Sequence, residues 1–377
     1  MPKNSAAVQT RKSSKSKKKL ILLLLNILLL LIGGIGSPLI LRTYFIHGGN
    51  RMWFSAFLQT AGFPFLLIPL IFSFLRRRSD NRSSLISLTP PLLAYCTILG
   101  LITGVSDYLY SYGMSFLPVS TSALLISTQL GFTAVFAFFI VKQKFSASSI
   151  NAVVLLTFGA VVLGVHASGD RPNGESKAKY NIGFLMTLGA AVVYGLMLPL
   201  VELMYKYAKK EVTYQLVMEM QFIIGLSATV FCAIGMAINK DFEVIISVVI
   251  CLNKDSFVCV TIAIGREANL YRLGQAEYYL VVFFSTVIAQ FFFLGMVGTI
   301  KYSSALLSGV IIAVCIPVTE VLAVFFFHEK FSGEKGVALA LSLWGTGSYF
   351  YGEYNDHKRR KNANAMEVQL PLSVVSE

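Results

Sequence analysis

Ten apolar runs, each about long enough to cross a bilayer, constrain this chain more than any other feature. A helix needs ~20 mostly apolar residues to span the hydrocarbon core. Such runs fall at about 20–41, 52–75, 91–114, 119–141, 149–167, 181–205, 214–238, 278–300, 304–327 and 336–352. They are continuous rather than alternating, which disfavours a barrel. The expected fold class is therefore an all-α polytopic membrane protein with ten transmembrane helices. Over the 377 residues, 55% are hydrophobic and 14% charged, with a mean hydropathy of +0.68. These figures exclude a soluble enzyme, a disordered chain and a secreted disulfide scaffold. The five cysteines show no framework spacing, and Cys96, Cys232 and Cys315 sit in apolar runs, where the thiol acts as a small hydrophobe.

The net charge of +13 would suggest nucleic acid in a soluble protein. Here the basic residues lie mostly in tails and short loops, so no nucleic-acid partner is expected, and topology and anionic lipid explain them. With both termini cytosolic, the inner segments carry 21 of the 32 Lys+Arg. Residues 1–19 form a basic, serine-rich tail, expected to be disordered. The apolar run behind it is too long for a cleavable signal peptide. On this topology the sequon Asn81-Arg82-Ser83 lies inside and stays unglycosylated. The stretch 243–264 is apolar at both ends but broken by Lys254 and Asp255, a costly pair at mid-span. It is read as an outer loop or a re-entrant piece.

The chain also repeats itself. Residues 127–164 match 313–350 at an offset of 186, which pairs Phe139 with Phe325, Lys144 with Lys330, Phe145 with Phe331, Ser146 with Ser332 and Gly159 with Gly345. Gly34, Pro38, Leu39 and Tyr44 match Gly195, Pro199, Leu200 and Tyr205 at an offset of 161. The jump in offset points to the stretch around 243–264. The halves, 20–167 and 168–352, each hold five spans, an odd number, so they insert in opposite orientations. A 5+5 inverted repeat is a transporter architecture, with the substrate site between halves near the midplane. Residues 353–377 form a second cytosolic tail.

Three strings resemble a known family: RMWFSAFLQTAGFPFLLIPL, SDYLYSYGMSFLPVSTSALLISTQLGFTAVFAFFIVKQKF and LLSGVIIAVCIPVTEVLAVFFFHEKFSGEKGVALALSLWGTGSYFYGEY. They are similar to the plant purine permeases, a branch of the drug/metabolite transporter superfamily, and the likeness runs from about Gly33 to Tyr354. The resemblance implies proton-coupled import of adenine-like bases, with cytokinins and related heterocycles among the substrates, most naturally across the plasma membrane. It implies no cofactor. An exporter or sensor of other small heterocycles on the same fold is the alternative. The chain departs from the family pattern between Asp241-Phe242 and Arg266-Glu267-Ala268, which members join almost directly. A loop insertion and a translated in-frame intron both fit the extra residues.

Ionisable residues inside spans are costly and are functional candidates by default. Four occur: Asp107, Glu202, Glu219 and Glu320. Glu202 and Glu219 lie near cytosolic ends, where snorkelling or pairing with Lys206, Lys209 or Lys210 also accounts for them. Glu320 lies deeper, behind Pro317, which frees a backbone carbonyl. Asp107 stands amid Tyr108, Tyr110 and Tyr112. A carboxylic acid at depth can change protonation between facing states, so Glu320, Glu202 and Asp107 are the proton-coupling candidates. Amides pair with a purine edge because they offer a donor and an acceptor together. Gln129 and Gln290 near mid-span, with Gln59 and Asp107, are the expected base-binding groups; an interhelical hydrogen bond explains the amides equally. Trp53, Tyr110, Phe132, Tyr194 and Phe291 are the stacking candidates. No clustered His, Asp or Glu at metal spacing, nucleophile–base pair or Walker A string is present, so neither a metal site nor an enzyme is expected.

Overall fold

The computed structural model describes residues 3–78, 88–142, 147–165, 176–208, 214–239, 267–328 and 331–369, and every regular element among them is helical. The 243–264 stretch, the Asn81 sequon, Lys144 and Lys330 lie outside the described residues. Twelve α-helices are used below: α1 (Lys3–Ile46), α2 (Met52–Thr60), α3 (Leu67–Arg78), α4 (Pro90–Phe116), α5 (Val119–Ser127), α6 (Gln129–Phe136), α7 (Ala147–Val165), α8 (Lys177–Tyr207), α9 (Tyr214–Ile238), α10 (Gln275–Tyr302), α11 (Ala305–Phe327) and α12 (Gly333–Gln369).

Eight helical segments among the described residues are long and apolar enough to cross a membrane. The other two expected spans, 149–167 and 336–352, fall on α7 and α12. Both are helical and pack along each other, but neither is among the eight; the described apolar stretch of α7 is Ile150–Gly159. The helix α1 runs back through the basic segment to Lys3, where an irregular tail was expected. Once a long apolar helix is nucleated, adding a residue to its end costs little.

Proline and hydroxyl residues set the breaks. Pro64 opens a 3-10 turn, Phe63–Leu66, that separates α2 from α3. Pro90 and Pro91 start α4 where no N–H is needed, and Pro118 ends its extension at Leu117. Between α5 and α6, Ser127 and Thr128 donate their hydroxyls to the carbonyls of Leu124 and Leu125 at 2.6 and 2.7 Å. Such back-bonding bends helices. A π turn, Ala137–Val141, closes the same span. At α11, Ser304 Oγ accepts from the Leu307 N–H at 3.1 Å, and Glu202 Oε2 accepts from the Ala305 N–H at 3.1 Å, so two donors at the helix start are satisfied.

Close helix approach relies on small residues. A Cβ at Gly33 would overlap the backbone of Phe292, and one at Gly295 would overlap the backbone of Leu30, so α1 and α10 touch backbone to backbone. Positions paired by the sequence offsets have matching surroundings. Pro38 lies inside α1 and Pro199 inside α8. Asn26 of α1 and Thr187 of α8, 161 apart, each meet a glycine, Gly298 and Gly113, which are themselves 185 apart. Lys142 (φ 55°) and His328 (φ 50°), both left-handed helix ends, are the only non-glycine residues at positive φ among those described. α1 packs along α10 as α8 packs along α4. The main core joins Leu99, Met197, Val201, Met220, Ile224, Met296 and Ile311, from five helices.

Candidate functional site

A cavity opens where α1, α2, α4, α5, α6, α8, α10 and α11 converge. It offers about 100 Å³ to the centres of water-sized molecules. A single water needs roughly 10–15 Å³ on that measure, so the space admits a body of several heavy atoms. Its wall is mostly apolar, with a few convergent polar groups, the usual make-up of a small-molecule site.

On the α1 wall, Gly33 and Gly34 allow close approach: a Cβ at Gly33 would overlap Phe292 and one at Gly34 would lie 2.8 Å from Cys315 Sγ, and Ser37 and Pro38 complete that wall. The bend at Thr128 turns Gln129 towards the cavity, while Thr128 lines a separate apolar crevice on the other side. Asp107, Tyr110 and Ser106 come from α4, Gln59 from α2, Tyr194 from α8 and Thr319 from α11.

Three buried polar atoms around this space have no hydrogen-bond partner among the described residues: Asp107 Oδ2, Gln129 Nε2 and the Tyr194 hydroxyl. Each such group costs about 1–3 kcal/mol if left unmade, more for a charge. Three around one cavity mark a place where polarity is held ready for a ligand. Gln59 is held differently. Its Nε2 donates to Ser111 Oγ at 2.8 Å and to the Ser55 carbonyl at 3.4 Å, which leaves its carbonyl oxygen as the uncommitted end. Tyr194 and Phe292 stack at 5.9 Å between centroids and 29° between planes, and both rings line the wall.

The cavity thus brings together Asp107, Tyr110, Gln59, Gln129 and Tyr194 from the expected set. It does not include Trp53, which stacks on Tyr108 at 3.9 Å and fills the space over Gly235. Gln290 packs against Gly62 at the crossing of α10 with α2. Phe291 is 36% exposed, while its neighbour Phe292, not singled out from sequence, lines the wall. Phe132 lies in the separate apolar crevice. Glu202 pairs with Lys206 at 3.4 Å beside the start of α11, and Glu219 accepts from Gln215 at 2.9 Å. Glu320 is fully buried and stands next to the wall residue Thr319 without lining the cavity.

Outside the cavity, Glu267 escaped the sequence reading. It accepts from Tyr44 at 2.7 Å, from Tyr278 at 3.0 Å and from the Asn50 N–H at 3.3 Å, with Arg51 at 3.8 Å. The knot ties the start of α10 to the end of α1. Burial and the adjacent Glu267 push the Tyr271 phenol up to about 12.

Gln290→Leu is expected to leave the KM for a transported base within about threefold, since Gln290 does not line the cavity and its Nε2 has no hydrogen-bond partner among the described residues to lose. Initial-rate uptake over a concentration series checks it.

Residues 21–359 match a family described as purine nucleobase transmembrane transport. The chain belongs to that family. Purine permease 3 of Arabidopsis thaliana is 48% identical over 342 residues, covering 90% of this chain and 92% of the relative. Purine permease 2 of the same plant is 45% identical over 346 residues, covering 91% and 94%. A solved crystal structure superposes with a TM-score of 0.53 at 17% identity, over 90% of this chain and 98% of that one, a likeness of fold alone. This member of the purine permease family is a multi-pass membrane transporter and not an enzyme.

Proposed function

We propose that the permease imports purine nucleobases, and purine derivatives such as cytokinins, across the plasma membrane in symport with protons. On this reading both termini are cytosolic, and ten transmembrane helices form two inverted five-helix halves. The single observation that carries the reading is the cavity, with Asp107, Gln129 and Tyr194 presenting polar atoms that lack a partner among the described residues, beside a stacked Tyr194–Phe292 wall.

A purine has a planar π face and an edge of alternating donors and acceptors. The aromatic pair supplies a face to stack on. Gln129 supplies a donor, and Gln59 supplies an acceptor whose orientation Ser111 fixes. Asp107 is the group we assign to coupling, because it faces the same space. Protonated, it donates a hydrogen bond; ionised, it accepts one. Its charge state and base binding are therefore linked. Glu202, held by Lys206 and the Ala305 N–H, ties the end of α8 to the start of α11 instead.

The inverted arrangement is supported by the paired surroundings of the two halves. Asn26 faces Gly298 and Thr187 faces Gly113, which relates α1 with α10 to α8 with α4. Gly34 lies 2.8 Å from Cys315 Sγ, measured from its would-be Cβ, and Gly195 lies 3.1 Å from the Gln129 carbonyl. The cavity draws on both halves, as alternating access by rocking requires.

Labelled adenine uptake into cells lacking their own carriers tests the proposal. Accumulation above the external concentration is expected, collapsing on addition of a protonophore. Uptake that equilibrates but never concentrates refutes the coupling. No uptake of any purine or cytokinin, by protein present at the plasma membrane, refutes the substrate class.

A further inference from the structure

Two helix pairs face each other across the cavity. Gly33 meets Phe292 while Gly298 meets Asn26, so α1 and α10 lie antiparallel in close contact. Gly113 meets Thr187 while Thr103 Oγ1 lies 3.3 Å from Met197 Sδ, so α4 and α8 do the same. The first pair gives the cavity Pro38 and Phe292, and the second gives it Tyr110 and Tyr194.

One hydrogen bond joins the pairs at each end of this space. Arg42 Nη1 donates to the Met114 carbonyl at 3.0 Å, and both residues stand one turn past a wall residue, Pro38 on α1 and Tyr110 on α4. That carbonyl is open to an outside donor, because its partner along the helix would be residue 118, a proline without an N–H. At the opposite end the Tyr205 hydroxyl of α8 donates to the Val297 carbonyl of α10 at 3.2 Å, one turn past the wall residue Phe293. A helix carbonyl has a second lone pair for such a bond. Apolar packing backs each one: Leu41 and Met114 pack with Val119 and Ala323, while Val297 belongs to the main core and Tyr205 packs on it. On the inverted-repeat reading, α1 corresponds to α8 and α4 to α10. Each half then supplies one such bond, from the end of its first helix to a carbonyl near the end of its third span.

We propose that Arg42 and Tyr205 are positioning residues that latch the two ends of the cavity: the Arg42–Met114 bond parts when the site opens at the end of α1 remote from the N-terminus, and the Tyr205–Val297 bond parts when it opens at the other. The pairs, held backbone to backbone, move as bodies, and a single side-chain bond at either end is the contact that must be exchanged. Removing one latch shifts the population towards the state open at that end.

Cys315 reads the opening, because it lines the cavity and is only 2% exposed. In a chain with the other four cysteines replaced by alanine, a membrane-impermeant quaternary-ammonium thiosulfonate is applied to intact cells and, separately, to inside-out vesicles. The assignment of faces rests on the transport reading above, with both termini cytosolic. Arg42→Met is expected to speed labelling from the outer face about tenfold or more and to slow it from the inner face, since a bond from a charged donor is lost. Tyr205→Phe is expected to do the reverse, by about fivefold. Arg42→Lys, which keeps a donor, is expected to stay within about threefold of the parent. A variant that labels like the parent on both faces overturns its latch. Equal acceleration on both faces, the mark of loosened packing, overturns it too. If the two variants exchange faces, the latches stand and the cytosolic placement of the termini falls. If the parent moves no purine, the substrate assignment falls while the labelling still judges the latches.

Discussion

Asp107→Asn is expected to abolish concentrative uptake while leaving exchange in place. A potential of about 100 mV is worth about 2.3 kcal/mol per transported charge. That corresponds to an accumulation ratio of roughly 50 for one proton carried with a neutral base. The amide of Asn keeps the size of the carboxyl group and can hydrogen-bond to a base, but it cannot carry a proton through the cycle. The steady-state ratio should therefore fall from tens towards one. Counterflow, in which unlabelled adenine inside exchanges for labelled adenine outside, should persist within about tenfold, because it needs binding and reorientation but no net proton movement. A mutant that still concentrates adenine would remove Asp107 from the coupling. Loss of both activities in a protein that reaches the membrane would make it a binding residue only.

Gly295→Leu should have the largest effect on the folded protein. The would-be Cβ overlaps the Leu30 backbone and lies 2.7 Å from the Asn26 carbonyl, so the obstruction is main chain and cannot swing aside. Overpacking typically costs about 1–3 kcal/mol, and a clash with backbone belongs at or above the upper end. Against a total stability of roughly 5–15 kcal/mol, that loss should lower the unfolding temperature of the detergent-extracted protein by about 5–10 °C. Gly347, with nothing within 4 Å of its would-be Cβ, supplies the control: Gly347→Ala should unfold like the parent.

What the sequence disclosed follows from the physics of membrane helices. A hydrophobic run reports depth and length, and the helices lie where the runs do. A run apolar on every side does not report which way each residue faces. Gln129 and Gln290 share a depth, yet one lines the cavity and the other packs on Gly62. Phe291 and Phe292 differ by one residue, about 100° of helix rotation, and only the second faces inward. Asp107 was legible because a buried carboxylate needs a reason at any azimuth. Glu267 was not, because it stands outside the apolar runs, directly after the stretch where the chain departs from its family's pattern.

The central claim, that the base sits in the cavity shared by the two halves, has a native reporter. Cys315 lines the cavity. In a chain that keeps Cys315 but has Cys96, Cys232, Cys251 and Cys259 replaced by alanine, a small membrane-permeant maleimide should label Cys315. Saturating adenine should slow that labelling at least about tenfold, with half-protection at the concentration that half-saturates uptake. Labelling that proceeds at the same rate while adenine uptake is saturated would place the base elsewhere and contradict the account.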